Sequence, residues 1–343
     1  MTGNETHPDA SAYSKCSHVE SDGRTTPLKV LKGCIMCCYI FCPPTPNAIT
    51  SKLAFHPPKK GSYTAAIAGS PSTKVNCASE LVGKKFRIHP WHSISCSPAD
   101  YEDLLGSTEF FVLQTSRKNI IVCTKCSLRV PPTEKNLSDI VVIFAQPNAS
   151  DLGDYLQPNR MNIPRLAELF GTDVYAFDYS GYGMSTGKPS EKNVYADIRA
   201  VHQHVRKSRS DKKIVLIGYS LGTAAVSDLA CNHPDGIVGV VLVAPFTSGL
   251  RLYQANPTKE TSCMLDKFRT CDKVAHIKVP LLVCHGKSDD VIDVEHGLEV
   301  KRRAFHPVPE LIVDDADHIT IFSGKYMQTF ERIRQFLAEE LVR

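Results

Sequence analysis

The sequence predicts an α/β fold with a mostly parallel central sheet and helices on both faces. From about residue 139 onward, short apolar runs alternate with stretches that have helical periodicity. A Gly-x-Ser-x-Gly motif stands where one apolar run ends and a helical stretch begins. The first observation predicts the fold class. The second predicts at which end of the sheet the catalytic residues lie.

The elements of this fold follow one another along the chain. Residues 110–116 and 119–126 predict a β-hairpin, since two apolar runs flank a short polar turn. Buried strands are predicted at 139–145, 173–180, 212–218, 237–244, 280–286 and 310–315. Helices are predicted at 163–170, at 193–207 and within 325–343.

The first 85 residues have a different texture. Residues 1–32 are polar and lack periodicity, which predicts a disordered tail. Residues 33–58 form a cysteine-rich segment with one short helix predicted at 49–55. Residues 59–85 are again polar, and they predict an exposed loop. The folded α/β domain is therefore expected to span residues 86–343.

Bulk composition excludes several classes of protein. The chain has 343 residues, of which 42% are hydrophobic and 22% charged, so it can bury a large core. The net charge of +4 and the lack of a dense basic run argue against nucleic acid as a partner. The start, MTGNETHPDA, lacks the basic and apolar regions of a signal peptide. The 13 cysteines are then expected to be free thiols in a reducing compartment.

The motif Gly218-Tyr219-Ser220-Leu221-Gly222 predicts a nucleophile. It lies between the apolar run KIVLIG and the helical stretch LGTAAVSDLA. A sharp strand-to-helix turn exposes the serine Oγ, and the glycines let the turn pack closely. Amide groups at the start of the helix favour a developing oxyanion. We therefore expect Ser220 to be the nucleophile of an α/β-hydrolase fold.

A serine nucleophile needs a base, and the base needs an orienting carboxylate. In this fold the acid and then the histidine follow the serine, on loops after later strands. Asp289 follows the run PLLVCHG and is the expected acid, with Asp290 and Asp293 as rivals. His318 is the histidine that lies beyond the last predicted strand, and it is the expected base.

The expected oxyanion hole has two backbone donors. One is the N–H of Leu221, and the other is the N–H of Asn148 in the loop after the run DIVVIFA. Gln146-Pro147 begins that loop, and proline fixes φ and lacks an N–H. If the loop is rerouted, one donor is lost, which costs about 10²–10³ in rate.

The cysteine cluster allows several explanations from the residues alone. Disulfides, zinc and lipid attachment all remain open for Cys34, Cys37, Cys38 and Cys42. The apolar run around them is too short to span a bilayer, which needs about 20 residues. A second Cys-x-x-Cys pair, Cys123 and Cys126, lies far away in a predicted strand, where the two side chains face opposite ways. No metal and no cofactor are expected.

Several stretches together resemble the α/β-hydrolase domain-containing protein 17 family, the membrane-bound protein depalmitoylases. They are FDYSGYGMSTGKPSEKNVYADI (177–198), GYSLGTAAVSDLA (218–230), APFTSGLR (244–251) and HGKSDDVIDVEHGL (285–298). The stretch FCPPTPNAITSKLAFHPP (41–58), after the cysteine cluster, is similar to that family's N-terminus. This chain departs from the family where His-Gly is replaced by Gln146-Pro147 and where Tyr219 replaces glutamine.

The resemblance implies a function. It implies Ser220, Asp289 and His318 as a catalytic triad that hydrolyses the thioester between palmitate and cysteine. It implies palmitoylation of Cys34, Cys37, Cys38 and Cys42. The substrates would be S-palmitoylated membrane proteins. The enzyme would lie at the cytoplasmic face of the plasma membrane and endosomes, attached peripherally through its acylated cysteines.

Two alternatives remain beside this function. One is a lipid or small-ester hydrolase, and the other is a membrane-tethered binding protein with an impaired oxyanion hole. The segment 245–279 is short for a cap but contains apolar residues that either line an acyl site or only cover the sheet edge. These residues are Phe246, Leu250, Leu252, Tyr253, Met264, Leu265 and Phe268.

Overall fold

The computed structural model describes residues 54–58, 61–70, 73–91, 97–129, 137–261, 263 and 266–341. The predicted tail, 1–32, and most of the helix predicted at 49–55 lie outside these ranges. So do the four cysteines at 34, 37, 38 and 42.

The region 59–85 contains regular structure where an exposed loop was predicted. Strands β1 (Tyr63–Ile67) and β2 (Phe86–Pro90) pair antiparallel, with a 3-10 turn at Ala78–Leu81 between them. Ala78 and Leu81 are buried in the core. The loop prediction is wrong here because the strand is only five residues long and polar turns flank it on both sides.

Eight further strands form one sheet. Their bounds are β3 Thr108–Gln114, β4 Ile120–Cys126, β5 Ile140–Ala145, β6 Asp173–Phe177, β7 Lys213–Tyr219, β8 Ile237–Val243, β9 Leu281–Gly286 and β10 Leu311–Val313. Their spatial order is β10-β9-β8-β7-β5-β6-β4-β3. The hairpin β3–β4 joins β6 antiparallel, and all other neighbours are parallel. The predicted hairpin and the mostly parallel sheet are confirmed.

Helices lie between the strands and after them. Their bounds are α1 Pro98–Leu105, α2 Ile163–Phe170, α3 Glu191–Ser208, α4 Leu221–Ala230, α5 Gly249–Tyr253, α6 Thr270–Val274, α7 Val294–Arg303 and α8 Met327–Gln335. A π-helical turn, Phe336–Glu340, follows α8. The side chains of Asn162 and Ser190 accept hydrogen bonds from the first turns of α2 and α3, which explains where these helices begin.

The sheet is buried on both faces. Val142 and Phe144 of β5 belong to one apolar cluster, which α2 and α8 cover. Val141 and Ile143 belong to the other, which α3, α4 and α7 cover. A strand that is apolar at every position is expected where helices cover both faces. The structure therefore has the α/β-hydrolase architecture that the sequence predicts.

The second Cys-x-x-Cys pair divides between these two clusters. Cys123 packs into the cluster under α3 and α4, and Cys126 packs into the opposite one. Both side chains are fully buried. Burial raises the pKa of the Cys126 thiol to about 12, which keeps it protonated. These two cysteines therefore pack in the core as apolar residues.

Parallel strands bring the expected site residues to one edge of the sheet. Asn148 follows β5, Ser220 follows β7, Asp289 follows β9 and His318 follows β10. The carboxyl ends of neighbouring parallel strands meet at one edge, where sites in this class of fold are built.

Candidate active site

Ser220 lies on a strained turn between β7 and α4. Its φ is 52° and its ψ is −114°, a backbone conformation that residues other than glycine rarely adopt. Its N–H donates to the Val243 carbonyl at 2.9 Å, which fixes the turn against β8. The side chain stays largely buried, with 8% of the residue exposed. The turn therefore directs Oγ away from the strand, at the edge of the sheet where the strands have their carboxyl ends.

The two glycines of the motif are needed for close packing. A Cβ on Gly218 would collide with the backbone of Gly222. A Cβ on Gly222 would collide with the Ala145 carbonyl at the end of β5. The Ser220 turn and the loop after β5 are thus held in direct backbone contact.

His318 connects Ser220 to Asp289. Its Nε2 lies 3.1 Å from Ser220 Oγ, and its Nδ1 lies 2.8 Å from Asp289 Oδ2. A carboxylate can only accept, so Nδ1 carries the proton and Nε2 accepts from the serine hydroxyl. The structure brings the three expected residues into one hydrogen-bonded chain.

The Asp289 carboxylate is fixed by its own loop. Its Oδ1 accepts from the N–H groups of Val291 at 2.9 Å and Ile292 at 2.8 Å. Burial acts to raise the pKa of Asp289, but hydrogen bonds from His285, His318 and Ile292 outweigh it and hold the pKa far below its usual range. The rivals lie elsewhere, because Asp290 is exposed and Asp293 caps α7.

His285 is a neighbour of the acid that sequence reasoning missed. It is fully buried, and its Nε2 lies 3.3 Å from Asp289 Oδ2 and 2.9 Å from the Ile292 carbonyl. The carbonyl can only accept, so Nε2 carries the proton. Nδ1 is buried and has no hydrogen-bond partner among the described residues. In the sequence, the signal for this role is that His285 stands four residues before Asp289.

Tyr219 was also missed as a neighbour of the base. Its hydroxyl donates to the His318 carbonyl, and its ring packs against Phe322 with centroids 5.3 Å apart. Burial, followed by the charge of Asp289, raises the pKa of Tyr219. The tyrosine therefore remains a donor, and it ties the His318 loop to the strand that carries Ser220.

The two expected oxyanion donors are available. Leu221 begins α4, where a backbone N–H has no partner within its helix. Neither this N–H nor that of Asn148 has a hydrogen-bond partner among the described residues. The side chain of Gln146 donates to Asp178 Oδ1 at 3.1 Å and to the Ser150 carbonyl at 3.2 Å, which shapes the loop from within.

Comparison with known proteins identifies the family of this chain. A family model described as serine aminopeptidase, S33, matches residues 164–269. Alpha/beta hydrolase domain-containing protein 17B from Xenopus laevis is 36% identical over 90% of this chain and 96% of its own length. The same-named protein from Homo sapiens is 35% identical over the same shares. This chain belongs to the α/β hydrolase domain-containing protein 17 family.

More distant relatives agree on the fold of this family member. Alpha/beta hydrolase domain-containing protein aho-3 from Caenorhabditis elegans is 34% identical over 89% of this chain and 82% of its own length. An esterase structure from Pyrococcus furiosus has a TM-score of 0.55 at 19% identity, covering 71% of this chain and 93% of that one. Est1E from Butyrivibrio proteoclasticus, with ferulic acid bound, has a TM-score of 0.53 at 15% identity, covering 66% and 98%. The chain is a serine-type α/β hydrolase.

The short cap of this hydrolase has a buried side and an exposed side. Phe246 and Phe268 are buried and their ring centroids lie 6.1 Å apart, whereas Tyr253 is 86% exposed. Met264 and Leu265 lie outside the described residues. Arg251 is fully buried and donates to the carbonyls of Lys259 and Glu260, and so it holds the cap loop to α5.

Within the described ranges, no helix combines the length and the apolarity that a membrane span requires.

Proposed function

We propose that this protein hydrolyses the thioester between palmitate and a cysteine side chain. The observation that carries the proposal is the chain of hydrogen bonds from Ser220 through His318 to Asp289, on a strained turn at the start of α4. The family resemblance supports S-palmitoylated membrane proteins as the substrates.

The first half-reaction transfers the acyl group to the enzyme. Ser220 Oγ attacks the thioester carbonyl while His318 Nε2 takes the hydroxyl proton. Asp289 stabilises the imidazolium through the proton on Nδ1. The tetrahedral intermediate then breaks its C–S bond, and His318 gives its proton to the departing cysteine sulfur. The products are an acyl ester on Ser220 and a free cysteine thiol.

The second half-reaction returns the enzyme to its starting state. Water attacks the acyl ester, and His318 Nε2 takes one of its protons. The tetrahedral intermediate breaks its bond to Oγ, and His318 returns the proton to Ser220. Palmitate leaves. In both halves the N–H groups of Leu221 and Asn148 would donate to the oxyanion, and each is worth about 10²–10³ in rate.

We also propose how the protein reaches its substrates. Acyl chains on Cys34, Cys37, Cys38 and Cys42 would hold it at the cytoplasmic face of the plasma membrane and endosomes. More than one chain is needed, because a single acyl chain binds a membrane only marginally. Changing the four cysteines together to serine should move the protein from the membrane fraction to the soluble fraction. Unchanged fractionation would contradict attachment through this cluster.

The test of the activity compares Ser220→Ala with Ser210→Ala. Ser210 is exposed and precedes β7, at the opposite end of the strand that leads to Ser220. Turnover of a palmitoyl-cysteine peptide should fall to background in Ser220→Ala, a loss of about 10⁶-fold in comparable enzymes. Ser210→Ala should behave as the wild type. Circular dichroism of both variants checks that the fold is kept.

Three results would contradict the proposed activity. Comparable turnover by Ser220→Ala would refute the nucleophile. Wild-type turnover of short esters or lipids but not of the palmitoyl-cysteine peptide would identify a lipid or small-ester hydrolase. No labelling of Ser220 by a fluorophosphonate would favour the membrane-tethered binding protein.

A further inference from the structure

A short N-terminal segment lies against the loop that carries Asn148. We call Ala54–Pro58 the strap. Asn148 Nδ2 donates to the Ala54 carbonyl at 2.8 Å, and Asn148 Oδ1 accepts from the His56 N–H at 3.0 Å. These atoms come from residues more than 90 positions apart in the chain. One amide side chain thus pairs with the strap backbone on both its donor and acceptor sides.

The same side chain is also held from the domain interior. Tyr182 donates its hydroxyl to Asn148 Oδ1 at 2.7 Å, and Tyr182 itself is fully buried. An amide oxygen has two lone pairs, and here both are used. With a further contact at 3.3 Å between Nδ2 and His56 Nδ1, four hydrogen bonds from two directions fix the Asn148 side chain, and with it the Cα and the direction of the backbone N–H.

The loop has little other support from backbone. Within the described ranges, residues 146–150 make no backbone-to-backbone hydrogen bond. Ala149 has a φ of 59°, so the chain turns sharply directly after Asn148. Side-chain contacts therefore determine where this loop lies. They are those made by Gln146 and Asn148 and the hydrogen bond from the buried Tyr179 hydroxyl to the Gln146 carbonyl at 2.6 Å.

Phe55 anchors the strap in the core. It is 5% exposed, and its ring packs edge-to-face on Phe268 with centroids 5.6 Å apart. Phe268 in turn packs on Phe246 at the end of β8. Burial of this aromatic side chain favours the ordered position of the short segment. The strap thus joins the cap to the loop that carries Asn148.

We propose that the strap is a working part of the active site, in which the backbone of Ala54 and His56 holds Asn148 so that its N–H stays aimed at the oxyanion. The inference rests on the proposed function, since it assigns the strap to the oxyanion hole of that reaction. Asn148 is here a positioning residue through its side chain. In the sequence the strap follows the four cysteines that are proposed to be acylated.

The test is a matched pair at residue 56. His56→Pro removes the N–H that donates to Asn148, because proline has none. His56→Ala keeps that N–H and removes the exposed ring, together with the 3.3 Å hydrogen bond between its Nδ1 and Asn148 Nδ2. We expect kcat to fall about tenfold or more in His56→Pro, up to the 10²–10³ that one oxyanion donor is worth, with KM changed less than about threefold. His56→Ala should keep a kcat clearly above that of His56→Pro, because the shorter hydrogen bond from the backbone N–H to Asn148 Oδ1 stays in place.

The affinity of a tetrahedral inhibitor separates positioning from a merely structural role. An alkyl boronic acid forms a tetrahedral adduct on the serine, and it needs the same donors as the transition state. Its affinity should weaken in parallel with kcat in His56→Pro. A variant that loses thermal stability but keeps kcat and boronate affinity would overturn the proposal, and so would equal kcat in the two residue-56 variants.

Asn148→Ala covers the case in which His56→Pro folds poorly, and where both variants fold a double-mutant cycle measures their coupling. Asn148→Ala removes the side-chain contacts to the strap and keeps the backbone N–H. It should reproduce the kcat and boronate defects, and adding His56→Pro should then cost less than about twofold more. Independent, multiplying losses would overturn the proposal.

Using a p-nitrophenyl ester beside the palmitoyl-cysteine peptide separates this proposal from the proposed function. If the wild type cleaves only the ester, the thioester assignment is refuted, and the ester rates of the wild type and of the variants at residues 56 and 148 then decide on the strap. Wild type that cleaves neither overturns both proposals.

Discussion

The two halves of the active site are built in different ways. On the acid–base side, Asp289 is fixed by N–H groups two and three residues away, and Asp317 accepts from Ile319 and Thr320 just beyond the base. On the oxyanion side, Asn148 depends on Tyr182 and on a strap more than 90 residues earlier. The Asp289 carboxylate and the turn after His318 are held by hydrogen bonds that are local in sequence, although Tyr219 also reaches the His318 carbonyl from 99 positions away. The Asn148 side chain is held by distant residues. Changes far from the chemistry are therefore expected to act mainly through the oxyanion side.

The two halves also place their buried carboxyls in opposite electrostatic states. Hydrogen bonds hold the pKa of Asp289 low despite its burial. On the oxyanion side, burial and then the charge of Asp151 raise the pKa of Asp178 to about 8, although Tyr63 at 2.5 Å, Leu152 and Gln146 all donate to it. Chemistry requires an ionised Asp289, whereas Asp178 has only to hold the loop.

Asp289→Asn should have the largest effect, because it breaks the acid–base side alone. The amide stabilises the wrong tautomer of His318, and we expect kcat to fall about 10⁴-fold, as in serine proteases. Asp290→Asn is the matched control, since Asp290 is the exposed neighbour in the same loop. Steady-state kinetics on an ester measures both. Greater damage from Asp290→Asn would move the acid by one residue.

Changes at His285 test how precisely the Asp289 carboxylate has to be aligned with His318. His285→Gln puts an amide nitrogen where Nε2 was, and His285→Asn stops at the position of Nδ1. We expect His285→Asn to lower kcat about 10- to 100-fold through misalignment of Asp289. His285→Gln should recover most of that loss. Equal rates for the two variants at matched stability would show that His285 only fills space.

Asp178→Asn tests the difference in protonation between Asp178 and Asp289 through the pH dependence of the free energy of unfolding. Above about pH 4 the unfolded Asp178 carboxyl is ionised, while the folded one keeps its proton up to about pH 8. The folded state then binds more protons, so this group makes stability fall as pH rises through that window. Urea unfolding should show wild type losing more stability than Asp178→Asn between about pH 5 and pH 8. Parallel pH dependences would contradict this.

Pro147→Gly should have the smallest effect. The residues on either side are anchored by their own side chains, so the proline ring is not what places the Asn148 N–H. We expect the ester rate to change less than about fivefold and the stability to fall by up to about 1 kcal/mol, from added freedom in the unfolded chain. A tenfold change in rate, in either direction, would show that the proline itself shapes the oxyanion hole.

The difference between the halves also explains what the sequence could predict. The strands around the site, the Ser220 turn, Asp289 and His318 follow from local patterns, in which each site residue comes after a strand end. The strap could not be predicted, because nothing near Ala54 indicates that its carbonyl pairs with Asn148. The strand at Tyr63–Ile67 escaped because its burial depends on packing against the distant Asp178 and Met184. Contacts between distant residues leave no periodicity to read.

The backbone of Ser220 sets activity against stability during evolution. Its conformation, with φ 52° and ψ −114°, costs a residue with a side chain about 1–3 kcal/mol. Glycine would adopt it without that cost, so one codon change would produce a more stable and inactive protein. Most substitutions destabilise a fold, and this one would run the other way. The nucleophile is therefore kept only as long as its activity is under selection. A duplicated copy of the gene that is free of that selection would tend to accumulate changes toward a more stable, inactive protein.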